Sequence, residues 1–187
     1  MKGALIVAGV VVVLGLIVGG WLIGARNDLV TGRSGVEAAW SQVDVALQRR
    51  ADLIPNLVET VKGYAKQEEK VFKEIADARA ALGGARNPRE RLEANSQLSG
   101  ALGRLLVITE NYPQLKSNES FNRLMDELAG TENRINVERR KYNEAVQKYN
   151  TDIQLFPKNV AAGMFGFAAQ PYFKADVSAR AVPNVKF

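Results

Sequence analysis

Chemistry in a protein needs groups that move protons, hold metals or attack electrophiles, and this sequence of 187 residues contains neither histidine nor cysteine. The commonest general base and the commonest metal ligand are therefore absent. A Ser-His-Asp relay, a histidine zinc site, a thiolate nucleophile, a disulfide and a lipid-bearing cysteine are all excluded. No phosphate-cradling glycine loop, dinucleotide fingerprint, calcium loop or nucleophile elbow is present. What remains is carboxylates, amines and guanidinium groups. Most of them alternate in sign at helical spacing, as in Glu59 with Lys62 and Glu69 with Lys73. Such pairs belong to solvated helix faces and contribute little individually. Bundles that hold two iron ions combine inward carboxylates with Glu-x-x-His, and without histidine that pattern fails. The residues predict no enzyme, no cofactor and no metal site.

The densest polar group is Asp44, Arg49, Arg50, Asp52, Asn56 and Glu59, within and just before "RRADLIPNLVETVKGYAK". Two compatible readings stand. Arginines at the end of one helix complement its negative end, while Asp52 caps the next helix and Pro55 sits in its first turn. Arg49, Arg50, Asp52 and Asn56 also form a candidate partner rim at the tip far from the bilayer. A net charge of +5 fits solubility and attraction to anionic lipid. The basic residues are interleaved with acids rather than gathered in a stripe, so nucleic acid is not an expected partner.

The elements that would position these groups begin with an anchor. "ALIVAGVVVVLGLIVGGWLIGA", from Ala4 to Ala25, carries no charge. At ~1.5 Å per residue it reaches roughly 33 Å, enough for the ~30 Å hydrocarbon core. The run is too long for a cleaved signal peptide, and Trp21 lies near its end, where an indole prefers the interface. Residues 1–25 are expected to form a retained single-pass transmembrane helix. Gly15 and Gly19, and Gly20 and Gly24, are four apart, a spacing that lets helices pack closely in a bilayer. Lys2 on one flank nearly balances Arg26 and Arg33 against Asp28 on the other. The positive residue before the anchor leans toward an extracytoplasmic domain, without settling the side.

Residues 26–156 predict an all-α domain: an antiparallel four-helix bundle with a long fourth helix, over about 33–51, 53–82, 88–112 and 118–156. Val36, Trp40, Val43, Leu47 and Ile54 make the first apolar stripe, and Leu57, Val61, Tyr64, Val71, Ile75 and Leu82 the second. Asn87, Pro88 and Glu90 supply an N-cap, a proline at the first position and an acid in the first turn. Ser117 or Asn118 caps the fourth helix. There Phe121, Leu128, Ile135, Tyr142, Tyr149 and Phe156 recur every seven residues, which calls for coiled-coil-like packing. The stretch from Gly130 to Arg140 is polar and reads as a wet layer, a protrusion or a docking face. An up-down-up-down order returns the end of the fourth helix to the bilayer.

Residues 157–187 form an apolar C-terminal segment and tail. Met164, Phe165, Phe167, Tyr172 and Phe173 are candidates for contact with lipid or a neighbouring subunit, or for packing over the open end of the bundle.

"AAWSQVDVALQRRADLIPNLVETVKGYAKQEEKVFKEIADARA", "TENYPQLKSNESFNRLMDELAGTENRINVERRKYNEAVQKYN", "FPKNVAAGMFGF" and "PYF" together resemble the LemA family of bacterial membrane proteins across nearly the whole chain. The resemblance implies an anchored helical bundle in the bacterial cell membrane and brings no catalytic mechanism. The expected function is a non-enzymatic scaffold or adaptor that self-associates. Its partners would be the bilayer, further copies of itself and other membrane or envelope proteins. A membrane-anchored sensor or regulatory subunit, and a membrane-shaping protein using the apolar C-terminal segment, are the alternatives.

Overall fold

The computed structural model describes residues 2–173. All regular elements among them are helices: α1 (Lys2–Lys62), α2 (Glu69–Gly84), α3 (Pro88–Thr109), the short α4 (Pro113–Lys116), α5 (Glu119–Asp152) and α6 (Lys158–Phe165). The expected tail beyond Phe173 lies outside the described residues. Two compact units form. One uses residues before 40 and after 139, and the other uses residues 40–139. Both α1 and α5 contribute to each.

In the unit of residues 40–139, helix starts follow local chemistry. The Asn87 side chain accepts the amide of Glu90 at 2.9 Å, while the Glu90 carboxylate accepts the amide of Arg86 at 2.8 Å. This is the reciprocal cap announced by Asn87, Pro88 and Glu90. Asn118, rather than Ser117, caps α5 by accepting the amide of Phe121 at 3.0 Å. The core is aliphatic, with Ile54, Leu57, Val61, Ile75, Leu82, Leu98, Leu105 and Leu115 at 1% exposure or less. It draws on α1, α2, α3, α4 and α5.

The expected corner at Ala51–Asp52 is not there. α1 runs without interruption through Pro55, and the chain turns between Gly63 and Glu68 instead. There the amides of Tyr64 and Ala65 both donate to the Val61 carbonyl at 2.9 Å, and Ala65 is buried. The buried row explains the continuity: Val43, Leu47, Ile54, Leu57 and Val61 keep one helical phase across Pro55. The expected helix over 53–82 is thus divided between the end of α1 and α2.

In the unit built from both chain ends, no side chain from Leu5 to Gly24 is buried. Beyond that run, Ala25 and Leu29 on α1 pack against Ala161 and Ala162 on α6, with Leu22, Ile153 and Phe167 around them. Gly32 faces the Tyr149 ring, where an added Cβ would lie 3.3 Å from the ring edge. Gly166 closes α6 with φ 72°, a left-handed cap suited to glycine. The seven-residue row is buried from Phe121 to Tyr149, but Phe156 is 81% exposed. α5 stops at Asp152, before the row's last member, because the chain must turn there to bring α6 back onto α1.

Candidate functional site

The expected rim loses Arg50, and it lies along a continuous helix rather than at a corner. Arg49, Asp52 and Asn56 are exposed toward the C-terminal end of α1, while Arg50 is 6% exposed. Its Nη1 donates to Asn95 Oδ1 on α3 at 2.8 Å and lies 2.7 Å from Glu132 Oε2 on α5. Burial lowers the Arg50 pKa, Glu132 opposes that shift and Arg139 adds to it. An arginine starts from so high a pKa that it stays charged, so the pair is an internal clamp across three helices. Thr131 and Glu138 on the same polar stretch of α5 are also buried, and Arg134 Nε meets Glu138 Oε1 at 2.9 Å. Part of the stretch from Gly130 to Arg140 is therefore an interior polar layer.

A second surprise sits at Pro55. Proline lacks the amide that would bond the carbonyl four residues earlier. That carbonyl belongs to Ala51, and Arg79 Nε on α2 donates to it at 3.0 Å. An open groove of about 380 Å³ runs beside this contact, lined in part by Pro55, Val58 and Phe72. Glu59, Lys62 and Lys73 also line it. Among the described residues, no group of three or more carboxylates could hold a metal ion. At the turn, the Tyr112 hydroxyl faces Glu68 at 3.4 Å, and its pKa is raised by burial and by the Glu68 charge.

In the other unit the most organised polar contacts hold the C-terminal segment. Asn143 and Asn150, seven apart on α5, each grip one residue of an extended stretch through both backbone groups. Asn150 Oδ1 accepts the amide of Gln170 and its Nδ2 donates to the Gln170 carbonyl, both at 2.8 Å. Asn143 does the same with Phe173, at 2.8 Å and 3.3 Å. The Tyr142 hydroxyl donates to the Pro171 carbonyl at 3.0 Å, and the Phe173 ring meets the Tyr142 ring edge-on at 4.9 Å. Seven helical residues rise ~10.5 Å, and three extended residues cover ~10 Å. The two repeats match, so one ladder reads backbone rather than side chains. Burial raises the pKa values of Tyr142 and Tyr149, which keeps the Tyr142 hydroxyl protonated as a donor.

Lys158, at the start of α6, reaches Asp28 on α1 at 3.2 Å and Asp152 on α5 at 3.6 Å. The bond to Asp28 raises its pKa first, and the charges of both carboxylates add to this. The Arg26 guanidinium lies 5.9 Å from the centre of the Phe165 ring. Of the five expected contact residues, Met164, Phe165 and Tyr172 are exposed, whereas Phe167 and Phe173 are half-buried against their own unit. Gly15, Gly19, Gly20 and Gly24 have no atom near the place a Cβ would take.

Sequence reasoning missed Arg79, Asn95, Glu132, Asn143, Asn150 and Lys158. Only Asn143 and Asn150 carried a signal: each directly follows a tyrosine of the seven-residue row.

Compared with known proteins, residues 39–187 match the model of the LemA family. The chain is 29% identical over 174 residues to Magnetosome protein MamQ 2 of Paramagnetospirillum magneticum, covering 79% of this chain and 64% of that protein. Magnetosome protein MamQ of Magnetospirillum gryphiswaldense is 28% identical over 173 residues, with the same shares. Protein LemA of Metamycoplasma hominis is 25% identical over 141 residues, covering 75% of this chain and 64% of that protein. The chain thus spans about 64% of the length of the curated relatives it matches.

Proposed function

The chain belongs to the LemA family, and on that premise we propose that it is a non-enzymatic membrane scaffold. In this reading it self-associates and presents its helical unit to other membrane or envelope proteins of a bacterial cell. The observation that carries it is the double character of α1. From Leu5 to Gly24 that helix exposes an uncharged apolar surface, which only lipid or another such helix satisfies. Further along, the same helix buries Val43, Leu47, Ile54, Leu57 and Val61 in a packed core. Anchor and adaptor are one element, so whatever the helical unit binds is tied to the bilayer in a single pass.

We read residues 40–139 as an antiparallel four-helix bundle. Contacts between the helices support this direction of travel. Ala51 meets Arg79 while Lys62 lies over the Phe72 ring, which supports α2 running against α1; Glu74 meets Arg104 while Gly84 lies beside Glu90, which supports α2 running against α3. Asp44 meets Arg91 and Arg50 meets Asn95, which sets α1 alongside α3. Glu132 near Arg50 and Asn118 near Tyr64 set α5 against α1.

Mass photometry of the full chain in detergent and in nanodiscs tests the scaffold reading. Defined multimers are expected, and a strictly monomeric population in both would overturn self-association. Stoichiometric metal in the purified protein would overturn the non-enzymatic part.

A further inference from the structure

The span ends where α6 begins to pack. Ala25, the last residue of the uncharged run, and Leu29, one turn on, lie against Ala161 and Ala162. A run of ~33 Å slightly exceeds the hydrocarbon thickness, so Ala25 to Asp28 stand at its edge. α6 is therefore placed at that edge too. Its inner face is two alanines. Its outer face exposes Val160 at 47% and Met164 at 63%, and the turn before it exposes Leu155 at 59% and Phe156 at 81%; Phe165, 44% exposed, closes the helix one turn beyond Ala161, on the side turned to Arg26 of α1. Five large apolar side chains so close together are unusual on a surface that faces water.

We propose that Leu155, Phe156, Val160, Met164 and Phe165 form an apolar collar that inserts into the lipid interface beside the exit of the transmembrane helix. The proposal rests on the membrane-anchored part of the preceding section and not on self-association. The occupant is lipid rather than a second copy because the collar continues the surface of the span itself. It is fastened to the same helix within two turns of the point where that helix leaves the bilayer. Charge fits the same level. Lys158 is neutralised by Asp28 and Asp152, and Arg26 lies over the Phe165 ring, an arrangement in which long basic side chains lift their heads toward the headgroups. The asparagine ladder fixes the far end of the segment at Gln170 and Phe173. The collar is thus held in place before lipid is met, and little ordering entropy remains to be lost on insertion. An amphipathic helix seated in this way buries its apolar face ~5–10 Å into the headgroup and acyl boundary.

The absence of cysteine makes the test direct. Single nitroxide labels are placed at Phe156→Cys, Met164→Cys, Val11→Cys and Gln97→Cys in the full chain. The protein is reconstituted into phosphatidylcholine–phosphatidylglycerol vesicles, and power-saturation spectroscopy compares accessibility to oxygen and to a water-soluble nickel chelate. Val11 lies in the apolar run, and Gln97 is exposed on α3. The expected result is an oxygen-to-nickel ratio at positions 156 and 164 several-fold above that at 97, approaching that at 11. Nickel access at 156 and 164 like that at 97 overturns the collar. Shielding of both positions from oxygen and nickel also overturns it, because protein then covers the patch. If position 11 gives the lipid signature and positions 156 and 164 do not, the collar fails while the anchor stands. If position 11 fails as well, the anchoring reading falls with it. Positions 156 and 164 are both exposed, one outside the helix and one within it, so an upset of α6 by one label leaves the other as an independent reading.

Discussion

Pro55 has no amide hydrogen to give, so the Ala51 carbonyl needs another donor if α1 is to continue. Arg79 supplies it. Leaving a buried carbonyl orphaned costs about 1–3 kcal/mol, and Ala51 is 6% exposed. Arg79→Met is expected to destabilise the unit of residues 40–139 by about that amount in urea unfolding. In a Pro55→Ala background the restored amide takes over the carbonyl, and the same substitution is expected to cost less than about 1 kcal/mol. Equal costs in the two backgrounds would break the link between proline and arginine. Arg50 offers a second case. Arg50→Ala strands Asn95, which is 2% exposed, while Glu132 retains partial access to water. A loss of about 2–4 kcal/mol follows, below the full cost for a wholly buried pair. Arg50→Met combined with Asn95→Leu removes both polar ends and is expected to recover part of it. Thermal or urea melts of the three proteins decide the matter.

Among the elements, α5 does two different tasks with one repeat. Its tyrosines and aliphatic residues at seven-residue steps are buried in the cores. The asparagines next to Tyr142 and Tyr149 point the same repeat at a strand-like segment. Each asparagine makes two hydrogen bonds worth about 1 kcal/mol net apiece. Asn150→Ala and Asn143→Ala are expected to accelerate exchange of the Gln170 and Phe173 amides, respectively, by roughly ten- to thirtyfold. Asn→Asp at either position keeps the acceptor and loses the donor, so its effect should be smaller in the same hydrogen-exchange measurement. An unchanged rate in the alanine variants would mean the segment is held by its aromatic contacts instead. The α5 repeat also stops short of Phe156. Periodicity reports which residues share a face, but it does not say where a helix must end to let the next one pack.

On the scale of the whole molecule, the exposed glycines of α1 are where the proposed self-association can be tested. Gly15 and Gly19 have open space where a side chain would go, the room that close helix approach in lipid requires. Gly15→Ile with Gly19→Ile is expected to lower the mass distribution in nanodiscs toward monomer, without changing the urea stability of the helical unit. An unaltered distribution would place self-association elsewhere. The variant adds apolar bulk to an apolar run, so membrane insertion itself is preserved.

Hydropathy, helical period and capping act over a few residues, and the features they control were legible in the sequence. The uncharged run, the all-helical class, the cap at Asn87 and the buried row from Phe121 to Tyr149 follow from neighbours along the chain. The missing histidine and cysteine likewise bounded the chemistry before any fold was known. The corner was misplaced because a proline reads locally as a helix start, and its tolerance inside α1 depends on Arg79, 28 residues away. Arg50 read as a rim for the same reason, since Asn95 lies 45 residues on. The ladder joins residues 20 and 30 apart, and the docking of α6 joins the two ends of the chain. In each case a polar or apolar group has to be satisfied inside a packed interior, and the residue that satisfies it is chosen by which helices come side by side. Sequence fixes what each group needs, and only tertiary structure decides who answers it.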